Sequence, residues 1–535
     1  MRLLLIQPPH TAIGSRIPKE NLPPMGLLSI GGPLIDAGHD VRLLNGDLGP
    51  MSICEILAKV KYHCADAVLI GHAGSTSAHP TSIRIAEEIR AQMPKTIIIY
   101  GGVFPTYHWH DILKNPSPID YIVKGEGEQT VVNLVTALDA GGDVSQVNGI
   151  AYRQNDRAIE TPPAPMIKNL DSFRTAWELI DHKDYSYWGG KRAVIMQFSR
   201  GCPHLCTYCG QRGFWTKWRY RNPKKFAAEI ARLYREEGVE LVNLADENPT
   251  SSRRAWRDFL DAMIKEDVPV IIIGSTRAGD IVRDHDILHL YKKAGVLRFL
   301  LGMENTDDAT LKAIKKGSTS AVDRHAIQLL REHDIISLCT WVVGFEEETD
   351  RDYWLLFKQL CTYDPDQIVS MFATPHRWTP FYQANKHRQI LVDDLRKWDY
   401  KHQIMAVSKV PRWRVFMWTK LIEVLVQTRP RSLWRVIAHR DKQVREGMAW
   451  YTRIGKRVWF HEIFDFMFGT KILKVKKTLK QFWGDERNID ENALSRHAVL
   501  VDKKPLSLVA GHTVFTTSKS QVPSNVQQVR LRKRA

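Results

Sequence analysis

Cysteine is scarce in this chain, and long apolar runs are missing from it. Its 535 residues include 7 cysteines. An odd number, with Cys54, Cys64, Cys339 and Cys361 scattered, excludes a disulfide framework and fits a reducing cytoplasm. No stretch reaches the roughly 18 uncharged apolar residues of a spanning helix, so none is expected. The opening, MRLLLIQPPH, has too short an apolar run for a signal peptide and no small-residue cleavage site. Neither an internal repeat nor a long low-complexity segment is present. Acidic residues are thin at one end. From Lys401 to Ala535 there are 28 Lys and Arg against 10 Asp and Glu, leaving 48 against 49 for residues 1–400. The net charge of +17 therefore belongs to the last quarter. Such asymmetry implies an anionic partner (a membrane surface, a nucleic acid or an acidic substrate) or else a solvated basic face with a loose tail.

What is present reads as α/β. With 44% apolar and 25% charged residues the composition is that of a soluble globular protein, and the length asks for two or three domains. Over residues 1–140, short Ile- and Val-rich runs alternate with helical spacing. Strands are expected at Arg2–Gln7, Val41–Asp47, Asp66–His72, Thr96–Gly102 and Asp120–Glu128, and helices at Pro24–His39 and Thr81–Met93. Such runs predict a doubly wound, Rossmann-like parallel sheet covered on both faces. Ligands on such sheets bind beyond the carboxyl ends of the strands. Residues 141–190 read as a connector with a hairpin at Asn148–Pro163. Residues 191–385 repeat the βα pattern six times, which predicts a partial (β/α)6 barrel with its chemistry at the C-terminal strand ends. Residues 386–510 read as a basic helical region, and 511–535 as a disordered basic tail.

The other three cysteines crowd into GCPHLCTYCG, where Cys202, Cys206 and Cys209 form C-x3-C-x2-C. Thiols left there without a ligand would be exposed to oxidation for no gain. Zinc usually takes four Cys or His ligands in two separated pairs. Here the nearest extra donor is His204 and no second C-x2-C follows. A 4Fe–4S cluster normally takes four cysteines, so three leave one iron open to substrate or cofactor atoms.

This array at the end of the first barrel strand, with Tyr208 just before the third cysteine, resembles the radical S-adenosylmethionine (SAM) superfamily. The resemblance implies that SAM binds the open iron and is cleaved to a 5′-deoxyadenosyl radical, with the protein supplying position and shielding. It also implies roles for residues that follow. Asp246 and Glu247 of LADENPT would hold the SAM amino group. Thr276 and Arg277 of GSTRAGD stand where a guanidinium would pair with the SAM carboxylate. Glu304 and Asn305 of LGMEN would reach ribose or amine, and Gly344, Glu348 and Thr349 of VVGFEEET would lie near adenine. The preceding α/β domain resembles the cobalamin-binding domain of one radical SAM class. That likeness rests on Ser75–Thr76–Ser77, Gly101–Gly102 and Gly125–Glu126–Gly127–Glu128. The D-x-H-x-x-G element that supplies an axial histidine in other cobalamin proteins is absent, which implies cobalamin with no protein imidazole below cobalt. Where relatives often read G-G-x-H-P-T, this chain has GGVFPT, with Phe104 at the histidine position.

Within that class, RGCPHLCTYCGQRGFWTKWRYRNPKKFAAEI, LADENPT and TPFY are most similar to the anaerobic magnesium-protoporphyrin IX monomethyl ester cyclase group, over roughly residues 1–385. The loop PPHTAIGSRIPKENLPPMG departs from that group. The resemblance implies an oxidative cyclase acting on a tetrapyrrole, with reduced flavodoxin or ferredoxin as electron donor. A C-methyltransferase using methylcobalamin on a tetrapyrrole, lipid or other metabolite would use the same pair of domains. A basic Fe–S protein binding nucleic acid is a third reading, since Trp and Tyr allow base stacking. Helical spacing in FMWTKLIEVLVQ favours peripheral contact with an anionic membrane face over nucleic acid, and places the protein in the cytoplasm or on the inner membrane face. The segment HRWTPFY is expected either to line a substrate space at the barrel mouth with Trp378 and Phe381 or merely to close the barrel with them, and His376 or Arg377 would meet a propionate.

Overall fold

In the computed structural model the described residues are 1–484, without 11–19, 73, 74, 115, 212, 216, 346, 407 and 408, together with the backbone of 507–509 and 512–514. Much of the departing loop at 8–26 and most of the tail after 510 thus lie outside the described residues.

The first sheet is built from runs too apolar to face water. The strands β1 (Arg2–Gln7), β2 (Asp40–Asn45), β3 (Ala67–Gly71), β4 (Ile97–Gly101) and β5 (Tyr121–Val123) are parallel, in the order β2-β1-β3-β4-β5. The helices α1 (Met25–Asp36), α2 (Ile53–His63), α3 (His79–Gln92), α4 (Val103–Ile112) and α5 (Glu128–Asp139) connect them and cover both faces. Leu4, Ile6, Val68, Ile70 and Ile98 look to one side, and Leu3, Leu5, Leu69 and Ile99 to the other. A side-chain period of two puts apolar residues into both cores, as a doubly wound sheet requires. A hairpin of β6 (Ile150–Gln154) and β7 (Arg157–Glu160) adds antiparallel to β5, so that part of the 141–190 segment belongs to this sheet.

The second sheet starts with a short edge strand, β8 (Ser186–Tyr187), antiparallel to β9 (Lys191–Met196). A small hairpin of β10 (Ser199–Arg200) and β11 (Arg219–Tyr220) follows. Then α6 (Pro223–Glu237), β12 (Leu241–Leu244), α7 (Arg253–Glu266), β13 (Ile271–Thr276), α8 (Ala278–Arg283), α9 (Leu288–Lys293) and β14 (Val296–Glu304) alternate. They continue through α10 (Asp308–Ala313), α11 (Ser320–Glu332), β15 (Ile336–Val343), α12 (Asp350–Tyr363) and β16 (Gln367–Phe372). The six long strands run parallel in sequential order from β9 to β16 and leave the sheet open between those two, a partial (β/α)6 barrel. Helix α6 shows how local signals set the ends. Asn222 caps its N-terminus, Pro223 takes the first position, and Gly238 closes it at φ +67°. Phe198, Phe226, Trp256 and Phe259 pack in mutual ring contact beneath the helices. After the short α13 (Pro380–Asn385), helices α14 (Arg412–Gln427), α15 (Pro430–Ala438) and α16 (Lys442–Phe464) follow the barrel.

The two sheets meet through buried charge. Arg200 and Arg219 face each other across the β10–β11 hairpin. Both reach the loop after β5: Arg200 bonds Glu126 at 3.3 Å and also Glu128, and Arg219 bonds Glu126 at 2.8 Å. Burial alone would raise the Glu126 carboxyl. The hydrogen bond and charge of Arg219, and then the charge of Arg200, overcome it and hold the group below the usual carboxylate range. Removing one partner of such a set strands the others, at a cost of about 3–5 kcal/mol. Glu126→Ala should therefore lower the unfolding free energy by an amount of that order, read as a lower first urea midpoint at unchanged slope, and Glu126→Gln by less. The contribution is complete above the unfolded carboxylate pKa of about 4.3 and is lost as the pH falls through the lower folded value. The gap between wild type and Glu126→Ala should accordingly close in acid. An unchanged midpoint at neutral pH would show that these ion pairs do not hold the two sheets together.

Candidate active site between the two sheets

The cysteine loop leaves β10 through Gly201, whose φ is +92°. A Cβ there would stand 2.5 Å from the Lys217 carbonyl oxygen, so only glycine fits. The loop is braced from several sides. Asp246, at the end of β12, accepts from the Phe198 amide at 3.0 Å, the Ser199 amide, and the Ser199 hydroxyl at 2.6 Å. Glu247 accepts from the Gly201 amide at 3.2 Å. Thr207 donates its amide to the Ile314 carbonyl at 3.0 Å, and its own carbonyl accepts from the Phe381 amide at 3.0 Å. The Trp378 indole donates to the Gly210 carbonyl at 2.8 Å.

Held this way, Cys206 is buried while Cys202 and Cys209 are half-buried. Burial pushes the Cys202 thiol up to about 12, against the pull of Arg277. One Arg277 Nη lies 3.9 Å from Cys206 Sγ, and the other donates to the carbonyls of Lys316 and Gly317. His204 Nδ1, inside the loop, is buried without a hydrogen-bond partner, and burial pushes that imidazole down to about 2. Among the described residues no three His, Cys, Asp or Glu side chains gather tightly enough for a single metal ion, which is what zinc would ask. Thiolates that each reach a different iron of a cluster need no such convergence. The donor set fits a 4Fe–4S cluster: three thiols on one loop with a buried guanidinium beside them.

The remaining barrel residues stand around this loop. Burial drives the carboxyls of Asp246 and Glu247 up to about 7 and about 8. Thr276 shares a hydrogen bond with Thr250 at 2.5 Å. Glu304 has φ +67° at a register shift in β14 and forms a buried pair with Lys316 at 2.8 Å. Asn305 caps the next turn through the Asp307 amide at 2.8 Å. Glu348 accepts from the Gly344 amide at 3.0 Å and from the Tyr353 hydroxyl at 2.7 Å. Thr349 is the N-cap of α12. The Tyr208 ring meets that of Phe345 at a 53° tilt, centroids 4.9 Å apart.

Across the seam the strand ends of the first sheet turn toward this loop. Ser75–Ala78 form one 3-10 turn. Thr76 meets His376 Nδ1 at 3.1 Å, and His376 Nε2 meets the Tyr400 hydroxyl at 2.6 Å. Gly102 has φ +115°, and the atom closest to a Cβ built there is the His72 carbonyl oxygen at 3.6 Å. A Cβ at Gly102 would meet only that ordinary contact, but on a backbone that an L side chain adopts under strain, so glycine leaves this strand end free of bulk. Gly125 donates to Thr106 at 3.0 Å, and Gly127 precedes α5. Phe104 lies between His79 and His108, at 4.3 and 4.2 Å.

Two expectations change. Arg377 does not face open space; it is buried and paired with Asp111 at 2.7 Å. Trp378 is 2% exposed and stacked on Tyr107 at 4.8 Å, so it closes the domain seam. Arg200, Arg219, Lys316 and Tyr400 carry no local signal in the sequence, because each acts through a partner elsewhere in the chain.

The radical SAM superfamily matches residues 196–360, and the B12 binding domain matches residues 17–135. The anaerobic magnesium-protoporphyrin IX monomethyl ester cyclase of Synechocystis sp. is 58% identical over 92% of this chain and 99% of its own length. The protein of the same name from Rubrivivax gelatinosus is 32% identical over 77% of this chain and 75% of its own. This chain belongs to that cyclase family. Two solved structures share the fold. The radical SAM methyltransferase TsrM from Kitasatospora setae, with cobalamin and cluster bound, has a TM-score of 0.62 at 15% identity, covering 86% of this chain and 99% of that one. The cobalamin-dependent radical enzyme OxsB has 0.62 at 14%, covering 93% and 83%. A member of this cyclase family is a radical SAM enzyme whose cofactors are a 4Fe–4S cluster, SAM and cobalamin.

Cys202→Ala, Cys206→Ala and Cys209→Ala should each abolish cluster assembly and SAM cleavage. Cys54→Ser, Cys64→Ser, Cys339→Ala and Cys361→Ser should keep both. Iron per chain and 5′-deoxyadenosine release under anaerobic reduction are the measurements, and a Cys206→Ala protein with full iron and turnover would contradict the assignment.

Proposed function

We propose that the chain closes the isocyclic ring of magnesium-protoporphyrin IX monomethyl ester by an oxidative, oxygen-independent reaction. The observation that carries this reading is identity of 58% to a cyclase over 92% of the chain and 99% of that relative. When bound, the cluster, SAM and cobalamin supply one-electron reduction and the hydrogen-atom abstraction that opens oxidation of a substrate side chain.

The chain's own residues bind, orient and shield. Cys202, Cys206 and Cys209 would hold the cluster, with the Arg277 guanidinium offsetting the thiolate charge. Glu247 is the acceptor proposed for the SAM ammonium, while Asp246 keeps the strand end and the loop in register. Thr276 and Arg277 would flank the SAM carboxylate, Glu304 and Asn305 its ribose, and Gly344 and Glu348 its adenine. Tyr208 would close one wall by its contact with Phe345. Ser75, Thr76, Gly101, Gly102, Gly125, Glu126 and Gly127 mark the strand-end loops that would receive cobalamin. The substrate would lie between the two cofactor sites, shielded from water where Trp378 stacks on Tyr107. Reduced flavodoxin or ferredoxin would deliver the electron. No helix among the described residues is long and apolar enough to cross a membrane. A lipophilic tetrapyrrole substrate favours peripheral contact with a bilayer through the basic C-terminal region.

Gly102→Leu should cut cobalt retention while leaving iron at wild-type content, because it adds bulk at a strand end whose backbone, at φ +115°, also resists an L side chain. Unchanged cobalt would argue against this placement. The reaction itself is tested with SAM carrying a labelled methyl carbon and with labelled water. A product with one new ring, oxygen from water and no methyl label is expected. Transfer of the labelled methyl to the substrate would replace the cyclase reading with a methyltransferase.

A further inference from the structure

The stretch from the end of α16 through the turn Asp465–Gly469 to Lys477 exposes apolar and basic side chains together. Phe460, Phe464, Met467 and Phe468 are 67%, 62%, 62% and 68% exposed, and Ile472 and Val475 are 42% and 60% exposed. Interleaved with the last two are the exposed Lys471, Lys474, Lys476 and Lys477. No acidic residue occurs from Phe466 to Gly484. Asp465 is turned inward onto Lys397 at 2.6 Å and onto His402.

The protruding side chains stand on a built base. Phe466 stacks on Phe416 of α14 at 4.1 Å, and the Arg412 guanidinium lies 4.1 Å from the Phe466 ring centre. The Leu473 amide donates to the Leu391 carbonyl at 2.9 Å, which ties the strand-like part to the barrel side and leaves Ile472 and Val475 outward. One turn apart on α14, Trp413 and Met417 are 58% and 44% exposed. Scattered exposed apolar residues are ordinary, but a contiguous set marks a contact surface. Aliphatic and Met side chains offer no stacking platform for bases, whereas rings, aliphatics and lysines interleaved match the composition of a segment lying in a lipid interface.

We propose that this edge docks in the headgroup layer of an anionic phospholipid bilayer, its Phe, Met, Ile and Val side chains at the acyl boundary and its lysines on the lipid phosphates. The inference deepens the membrane contact named above by giving its surface. Its evidence, the exposure and charge of this edge, is independent of the cyclase reading that gives it a purpose.

Flotation of the full-length protein with phosphatidylcholine vesicles, alone or mixed with phosphatidylglycerol, tests it. Binding to the mixed vesicles is expected, about tenfold or more weaker on phosphatidylcholine alone and weakened by salt. The double variants Phe464→Ser/Phe468→Ser and Lys471→Glu/Lys474→Glu should each reduce flotation about tenfold or more, with iron content and SAM cleavage in solution unchanged. The proposal is overturned if the wild type does not float with anionic vesicles, or if both variants float as it does. It is also overturned if the same variants instead abolish oligonucleotide binding or a concentration-dependent dimer. Loss of flotation alone leaves the radical reading standing. Absence of SAM cleavage in the wild-type protein would strike that reading and not the docking surface.

Discussion

One carboxylate, Glu126, fixes where the cysteine loop stands relative to the first sheet. It meets Arg219 and Arg200, which pair across the two-residue strands that lead into and out of that loop. Arg200 lies two positions before Cys202, so a shift at the seam is transmitted to the first thiol through two residues. Charges this buried are costly unless every partner is present, and that cost makes the arrangement specific. A displaced seam would leave two guanidinium groups and the carboxylates of Glu126 and Glu128 without water or partner.

The loop itself is then shaped by backbone hydrogen bonds. Asp246 holds the amides of Phe198 and Ser199 while Glu247 holds that of Gly201, so adjacent residues at one strand end grip three amides leading into the cysteines. Cys206 is pressed toward Arg277, and Arg277 is itself held by the carbonyls of Lys316 and Gly317. Lys316 in turn carries Glu304. Strand ends β12, β13 and β14 are thereby linked through one connected set of polar contacts. Low polarity around such a set strengthens each bond and makes a missing partner expensive.

The periodicity of the sequence reached the elements and the cysteine motif because both are local. Apolar runs such as Ile97–Gly101 and Ile336–Val343 can only be interior strands, and three cysteines on one loop announce themselves. Partner choice was not legible. Asp246 and Glu126 show why: a carboxylate at a strand end looks the same in sequence whether it faces a cofactor, a guanidinium or an amide. Arg377 read as a substrate contact because nothing near it in sequence reveals Asp111, 266 residues away. The Asn148–Pro163 hairpin was visible, but not its docking on β5, since edge pairing depends on which strand end is left uncovered.

The inner part of the seam is kept neutral, and this bears on what it can receive. Burial pushes His72, His79, His108 and His376 downward, His79 and His376 to about 3, so all four imidazoles are uncharged at neutral pH. Around them stand Tyr100, Tyr107, Trp378 and Tyr400, rings that offer area and hydrogen bonds without charge. Arg377 brings its charge here only in the company of Asp111, which also meets Lys114 at 2.9 Å. A free carboxylate on a bound macrocycle would have to displace Asp111 from Arg377. Asp111 retains 28% side-chain exposure and a second cation, so it has a route out, but the exchange of one carboxylate for another gives little net gain. The esterified side chain of a monomethyl ester asks for no such exchange, whereas its free propionate does. With its rings stacked on one another and its ion pairs closed at the rim, the seam joins the two sheets without leaving a charge unpaired inside it.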